Sequence, residues 1–300
     1  MTIELGINPI TWTNDDLPGL GADIPLETCL REARAAGYTG VELGRKFPRD
    51  ARSLGPILAA HDLRLVSGWY SLRLLERDID AEFAAMAAHL ALLAALGSTV
   101  MVVCEVTGCI HGELGARLSR RPHMPPQRWA EFGDRLTRLA RRMQDAGMRM
   151  AYHHHMGTVV QSGADVDALM KHTGEEVGLL LDTGHLTYAG ENPARFATSY
   201  AARIVHVHCK DVRAEVLARA RNRDASFLDA VLQGVFTVPG DGSVDFPAAL
   251  GPLARAGYDG WLVVEAEQDP AVATPSVYAA KGHSYLARIT SEIFDQGAAR

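Results

Sequence analysis

The sequence predicts an α/β fold, a (β/α)8 TIM barrel, from three observations. Short apolar runs alternate with longer amphipathic segments along the 300 residues, a pattern typical of β/α units around a parallel sheet. Eight such runs occur, which is the number of strands in a closed barrel. Glycines separate several helical segments from the next run, as expected for helix C-caps, at Gly37, Gly97, Gly147 and Gly257. We therefore expect a single TIM-barrel domain over residues 1–300.

The strands are predicted where apolar and β-branched residues cluster between turn residues. An open doubly wound sheet is the alternative, but its glycine-rich fingerprint is missing after the first strand, where Gly6 precedes Ile7-Asn8-Pro9. In chain order, the predicted strands are Glu4–Asn8, Gly40–Leu43, Arg64–Ser67, Val100–Cys104, Met150–His153, Val177–Leu181, Ile204–His208 and Trp261–Glu265.

Helices are predicted between these strands. The segment after the fourth strand shows the pattern most clearly, because Leu136, Leu139 and Met143 recur at helical spacing. The predicted helices are Leu26–Ala36, Asp78–Leu96, Pro126–Ala146, Ala164–Lys171 and Pro193–Tyr200.

Two segments are longer than a simple barrel needs. Residues 107–127 follow the fourth strand and are rich in glycine, histidine, arginine and proline. Residues 213–245 follow the seventh strand and contain a PGDG turn at Pro239–Gly242. Segments that follow barrel strands lie at the C-terminal mouth, where barrel enzymes place their active sites. We expect both segments to be active-site loops.

Composition narrows the class of partner. The formal net charge of −6 disfavours nucleic acid, which binds basic surfaces, and leaves a small molecule as the expected partner. No apolar stretch approaches the length of a membrane span, and the N-terminus does not resemble a secretory signal. The four cysteines are widely spaced, as expected for reduced thiols in a cytoplasmic protein. The sequence leaves open whether the chain forms a homo-oligomer.

Imidazoles and carboxylates gather at the ends of the last four predicted strands. They include the triplet His153–His155, Asp182, His208 and Glu265. The C-terminal ends of the strands lie at one rim of a barrel, so we expect these side chains to lie close together. A set of imidazole nitrogens and carboxylate oxygens is typical of sites for Mn, Co, Fe, Ni or Zn. A purely structural explanation is available for each residue alone, for example helix capping by Asp182. Together they would crowd charges without a counter-ion, which favours a divalent metal.

Side-chain alternation refines this set. His206 and His208 share a face, and His208 lies nearer the rim. His153 and His155 share a face from which His154 points away, so the fourth ligand is either His153 or His155.

Several segments carry a resemblance to a known family. They are GINPITWTNDDLP near the start, GVELGRKFP at 40–48, SGWYS at 67–71, AYHHHMGTVVQ at 151–161, LLLDTGHLTYAG at 179–190, RIVHVHCKDVR at 203–213, FTVPGDG at 236–242 and GWLVVEAEQDP at 260–270. In these segments the chain resembles the xylose-isomerase-like barrels and, more closely and over nearly its whole length, the inosose dehydratases of bacterial inositol catabolism. YHHHMGT and VEAEQDP are the specific motifs, whereas DTGH occurs in many barrels.

The resemblance implies a hydro-lyase that removes water from 2-keto-myo-inositol, or a close inosose, to give a trihydroxycyclohexane-dione. It implies one divalent metal, Mn or Co in preference to Fe, Mg or Zn, held by His153, Asp182, His208 and Glu265. The wider superfamily usually has a glutamate as the first ligand, and here the matching residue is His153.

Roles for further residues follow from their positions at predicted strand ends. His155, Glu265 and Lys210 are the candidates for acid and base catalysis, although alternation could turn Lys210 outward into a salt bridge with Asp211. The candidates for binding substrate hydroxyls are Glu42, Lys46, Trp69, His185, Arg213 and Asn14.

Three alternatives remain at this point. A sugar isomerase or epimerase would use the same metal and also remove an α-proton, but it would return the proton instead of expelling hydroxide. A non-catalytic sugar-binding protein would bind without turnover. A nuclease of the endonuclease-IV type shares the barrel, but the acidic charge disfavours it.

Overall fold

The computed structural model describes residues 3–295, and its central feature is a closed barrel of eight parallel strands. The barrel closes because β1 (Ile3–Ile7) pairs with both the second and the last barrel strand. The other barrel strands are β2 (Gly40–Leu43), β3 (Arg64–Leu72), β4 (Val100–Glu105), β5 (Arg149–His153), β6 (Val177–Asp182), β7 (Ile204–Cys209) and β10 (Gly260–Val264). All eight predicted strands are thus confirmed.

One strand is longer than its sequence indicates. The prediction ended β3 at Ser67, before the less apolar stretch that follows, yet the strand continues to Leu72. The extension pairs with β4, from Trp69 opposite Val102 to Leu72 opposite Glu105. Ladder hydrogen bonds from a neighbouring strand outweigh weak local propensity, which is a property of the sheet.

Helices surround the barrel, and the five predicted ones are present within a few residues. Others were not predicted; α2, for instance, contains Gly55 and Pro56, which disfavour helices. The helices are α1 (Leu26–Ala36), α2 (Ala51–Ala60), α3 (Ile79–Ala95), α4 (Trp129–Asp145), α5 (Gly163–His172), α6 (Thr183–Ala189), α7 (Pro193–Tyr200), α8 (Ala214–Asn222), α9 (Phe227–Leu232), α10 (Phe246–Arg255) and α11 (Pro275–Thr290).

The segment after β7 forms a small subassembly over the mouth. Two short antiparallel strands, β8 (Asp211–Val212) and β9 (Phe236–Thr237), enclose α8 and α9. Phe227 and Phe236 belong to an apolar cluster of this segment, separate from the large cluster between sheet and helices. This second cluster therefore forms an apolar wall beside the mouth of the barrel.

The cysteines and the length of the apolar helices bear on the cellular location of the protein. All four cysteines are free thiols. Among the described helices, none is both long enough and apolar enough to cross a membrane.

Candidate functional site

Four buried side chains converge where four neighbouring strands end. His153 closes β5, Asp182 closes β6, His208 is near the end of β7 and Glu265 directly follows β10. One potential ligand atom from each lies within 4.8 Å of the others. His153 Nε2 is 3.5 Å, and His208 Nδ1 3.6 Å, from Asp182 Oδ2. His155 stands in a different group, with His185 and Glu267, so the geometry favours His153 as the fourth ligand.

The polar atoms at this point fit a divalent cation. Asp182 Oδ2, His208 Nδ1 and Glu265 Oε2 are buried and make no hydrogen bond to any described residue, although the last two contact each other. Buried polar groups are normally hydrogen-bonded, so three such atoms facing one another indicate a missing partner. A cation coordinated by two imidazole nitrogens and two carboxylates would satisfy all of them.

Two of these residues are oriented by backbone contacts. Asp182 Oδ1 accepts a hydrogen bond from the backbone N–H of His185 at 2.7 Å and caps α6, so Oδ2 is left for the cluster. Capping of α6 by Oδ1 therefore leaves Oδ2 available for the ligand role that the sequence predicts. His153 Nδ1 lies 2.5 Å from the carbonyl oxygen of His154, which leaves Nε2 directed at Asp182. Contacts of this kind orient metal ligands in proteins.

Glu42 lines the cavity, where the sequence predicts substrate binding, and it also contacts His208 of the ligand cluster. Its carboxylate is 3% exposed and accepts hydrogen bonds from Asn8 Nδ2 at 2.7 Å and Ser67 Oγ at 2.7 Å. It also lies 2.9 Å from His206 Nε2 and 3.2 Å from His208 Nε2. Burial opposes its charge, but the neighbouring histidines hold its pKa well below the usual range. With four partners, Glu42 orients His208 and has little capacity left for a substrate hydroxyl.

The Lys210 side chain points into the site. Side-chain alternation along the seventh strand had allowed it to point away from the barrel axis. Its ammonium lies 3.2 Å from Glu265 Oε1, 2.9 Å from Glu267 Oε2 and 3.0 Å from His185 Nε2. The alternation does not apply because β7 ends at Cys209. Burial disfavours the ammonium, but the two glutamates outweigh it and raise the pKa of Lys210 above its ordinary value.

The alternative salt bridge between Lys210 and Asp211 is wrong. The Asp211 carboxylate accepts hydrogen bonds from backbone N–H groups of Gly240 at 3.0 Å, Gly242 at 2.9 Å and Val244 at 2.9 Å. It therefore ties the PGDG turn to β8.

Glu267 also lies at this site, although it was not among the residues predicted from the sequence. It is 2% exposed, and its pKa is raised to about 8, because burial outweighs the opposing effect of Lys210. A signal existed, since Glu267 stands two residues after Glu265 and so shares its face in an extended chain. Glu265 itself divides its oxygens, one toward the ligand cluster and one toward Lys210.

His155 is placed as a base would be. Its Nδ1 lies 2.8 Å from the carbonyl oxygen of Met156, which leaves Nε2 free to accept a proton. Burial, helped by His111 and His153, lowers its pKa well below the ordinary value, so the ring is neutral. His185, predicted to bind substrate, lies behind it with ring centroids 4.0 Å apart. It is fully buried and its Nε2 faces Lys210, so its role is support.

Of these groups, Glu42, His155, His208, Glu265 and Glu267 line a cavity of about 270 Å³ at the mouth of the barrel, a size suited to a small molecule. Trp69, a predicted substrate-binding residue, lines the cavity with its ring 5.5 Å from that of His153 and 5.6 Å from that of His155. The other polar lining residues are Asn8, Asp15, Asp16, Glu42, Ser71, His111, His155, His208, Glu265 and Glu267.

Lys46 does not reach this cavity. Its ammonium donates to the carbonyl oxygens of Gly21 and Ala22, both at 2.9 Å, and to that of Ile24. The predicted role in substrate binding is therefore corrected, because the loop after β1 uses all three donors.

Arg213 and Asn14 likewise hold loops instead of lining the cavity. Arg213 donates to Asp241 Oδ2 at 2.8 Å and to Thr237 Oγ1 at 2.9 Å, which fixes the segment around β9. Asn14 Oδ1 accepts from the backbone N–H of Asp16 at 2.8 Å. Both predicted substrate contacts are replaced by turn-stabilising ones.

Comparison with known proteins adds to this geometry. Residues 30–289 match the family model described as a xylose isomerase-like TIM barrel. The chain is 53% identical to the rhizopine catabolism protein MocC of Rhizobium meliloti, covering 97% of this chain and 90% of that protein. It is 43% identical to the inosose dehydratase of Geobacillus thermodenitrificans, covering 95% and 96%. It is also 43% identical to the inosose dehydratase of Lacticaseibacillus casei, covering 95% and 97%.

Solved structures share the fold at low sequence identity. The IolI protein, crystallised with a zinc atom, superposes with a TM-score of 0.66 at 16% identity and covers 98% of both chains. The probable 3-DHS dehydratase AsbF of Bacillus anthracis gives a TM-score of 0.68 at 14% identity, covering 95% of this chain and 98% of that one. These likenesses support the barrel.

Proposed function

Because the chain belongs to the xylose isomerase-like TIM barrel family, and within it to the inosose dehydratases, we propose that it is a hydro-lyase of inositol catabolism. Its substrate is 2-keto-myo-inositol or a close inosose, and its product is a trihydroxycyclohexane-dione. The observation that carries this proposal is one small cavity that borders the ligand cluster, a neutral His155 and the Lys210–Glu267 pair.

We assign His153, Asp182, His208 and Glu265 as ligands of a divalent cation, with Mn or Co preferred. When bound, this cation supplies Lewis acidity that polarises the ketone oxygen of the substrate and favours loss of the neighbouring proton. The three buried atoms without hydrogen bonds support the assignment.

His155 is assigned as the base. Its Nε2 accepts the proton from the carbon next to the ketone, because its Nδ1 is occupied by the Met156 carbonyl. The electron pair of the broken C–H bond then forms the carbon–carbon double bond as the hydroxyl on the next carbon leaves. The resulting enol loses its O–H proton and gains a proton on the carbon that lost the hydroxyl, which gives the dione.

The Lys210–Glu267 pair is assigned to proton delivery. Glu267 borders the cavity and Lys210 donates to it at 2.9 Å, so a proton from this pair converts the departing hydroxyl to water. Trp69 supplies a flat apolar surface for the C–H face of the ring.

The test is an assay of the purified protein with 2-keto-myo-inositol, following the product by absorbance and by NMR. We expect water loss that stops after chelation and returns with Mn or Co. Formation of an isomer would instead establish an epimerase, and binding without turnover would establish a sugar-binding protein. Full activity of the metal-free protein would refute the cation assignment, and restoration by Fe, Mg or Zn alone would refute the preferred metals.

We also propose that the protein works in the cytoplasm. Its four free cysteines support this location, because reducing compartments keep thiols unpaired. Fractionation of the cells that produce it tests the proposal.

A further inference from the structure

The cavity is also lined by loop residues that neither the ligand cluster nor the proposed chemistry uses, among them Asp16 and His111. Asp16 follows β1 and His111 follows β4, and both line the cavity. A row of imidazole rings leads outward from His153 through His155 to His111, with successive centroids 5.4 and 5.0 Å apart. His111 therefore lies one ring beyond the proposed base, on the side away from the ligands.

Both side chains are held in place by their surroundings. The backbone N–H of Ile110 donates to the carbonyl oxygen of Gly157 at 2.9 Å, which docks the loop on the chain just after β5. Gly157 has a φ of +78°, and a Cβ there would lie 2.8 Å from the backbone nitrogen of His111. Asn14 fixes the turn that carries Asp16.

Both residues retain hydrogen-bonding capacity. His111 Nδ1 is buried and has no hydrogen-bond partner among the described residues. His111 Nε2 lies 3.6 Å from Asp16 Oδ1, which is beyond an ordinary hydrogen bond. The other ring nitrogen, Nε2, and the Asp16 carboxylate do not hydrogen-bond each other, so both can bond to a group that enters the cavity they line. A hydroxyl, which both donates and accepts, would suit this nitrogen and the nearby carboxylate.

We propose that His111 and Asp16 are specificity-determining residues that bind the hydroxyl across the ring from the ketone of the cyclic polyol. This rests on the proposed function, which places the ketone at the ligand cluster and the reacting carbons beside His155. The opposite side of a six-membered ring then extends outward to His111 and Asp16. His111 and Asp16 thereby favour a cyclic polyol that carries this hydroxyl over one that lacks it.

The test compares His111→Phe and Asp16→Asn with the wild type on two ketones. One is 2-keto-myo-inositol, and the other is its deoxy analogue without the hydroxyl opposite the ketone. Each substitution should lower kcat/KM for the full polyol by about 10- to 100-fold, the value of one hydrogen bond to a buried or charged group. Activity on the deoxy analogue should stay nearly unchanged, so that the preference of the wild type disappears.

His123→Phe is the matched control, because His123 is an exposed histidine of the same loop that does not line this cavity. It should leave both substrates unaffected, and metal affinity should be unchanged in all variants. Equal losses on the two substrates would assign His111 and Asp16 a structural role and overturn the proposal, as would an unchanged preference.

Failure of the proposed function gives a separate result. If the wild type does not dehydrate the ketone, the same proteins are compared by calorimetric binding of the two ketones. Loss of discrimination in His111→Phe would still support the contact, whereas equal binding of both ketones by the wild type would overturn it.

Discussion

The cavity has two halves that are built in different ways. The inner half borders the ligand cluster at the ends of β5, β6, β7 and β10 and includes His208 and Glu265 from that cluster, and the outer half includes Asp16 and His111 on loops. Barrel closure brings strand ends together whatever the loops do, whereas Asp16 and His111 meet only because two loops dock against the chain. The inner half is therefore suited to chemistry that every substrate shares, and the outer half to selection among substrates.

The largest effect is expected from the inner half, in Asp182→Asn. Asparagine keeps an oxygen for the cap of α6 but replaces the anionic ligand oxygen by an amide group. Metal affinity and kcat/KM should fall roughly a thousandfold, equivalent to about 4 kcal/mol. Asp245→Asn, at another capping aspartate on α10, is the control and should have no effect on either. Wild-type metal affinity in Asp182→Asn would refute the ligand assignment.

Lys210→Met tests the charge balance of the inner half. The substitution leaves Glu265, Glu267 and Asp182 facing one another without the ammonium. Breaking a buried ion pair in this way costs about 3–5 kcal/mol, measured by denaturant unfolding of the metal-free protein. Adding Glu265→Gln to the same variant should recover part of the loss, because the pKa of Glu265 is lowered and its carboxylate carries the charge that Lys210 balances. Unchanged stability of the single variant would mean that the carboxylates are not charged together.

Glu42→Gln distinguishes two possible roles of Glu42, which are to orient the proposed metal ligand His208 and to bind the substrate. Because Glu42 contacts His208 Nε2, loss of its charge should weaken metal affinity about 10- to 100-fold in a competition titration with a chelating dye. Ser67→Ala removes only one of the donors to the same carboxylate and should have a smaller effect. A raised KM with unchanged metal affinity would restore the role predicted from the sequence.

Metal affinity should also depend on pH. Burial opposes the charge of His208, but Glu265 and Glu42 outweigh it and raise its pKa well above the ordinary value in the metal-free protein. The ring is then protonated near neutral pH and must lose a proton when Nδ1 binds the cation. Affinity should therefore rise with pH, by up to about tenfold per unit for one released proton. Calorimetry in buffers of different ionisation enthalpy measures this release; a pH-independent affinity without proton release would contradict it.

The smallest effect on activity is expected from Lys46→Met, in the loop after β1. The ammonium holds three carbonyl oxygens, so its loss should lower stability by about 1–2 kcal/mol. KM should stay within about twofold of the wild type, since Lys46 does not line the cavity. Unchanged thermal stability with a KM raised tenfold would show that the outer half extends to Lys46.

Much of the fold and the inner half could be predicted from the sequence. The eight strands were recognisable because barrel strands are short, apolar and bounded by turns, and this pattern is local. Asp182, His208 and Glu265 could be proposed as ligands for the same reason, since each lies at the end of such a run, whereas the sequence left the fourth ligand open between His153 and His155. Within residues 3–295, the six helices that were not predicted, α2 among them, are short or contain breakers, and packing against the barrel stabilises them.

What the sequence determined by itself was therefore the order of the strands and the chemical groups at their ends. Only the tertiary structure decided that Lys210 turns inward, that Glu42 supports His208 and that His111 reaches the cavity. The physical reason is the range of the interactions. Side-chain alternation holds while the backbone is paired in a strand and stops at its end, and beyond that point the direction of a side chain depends on contacts with residues far away in the chain.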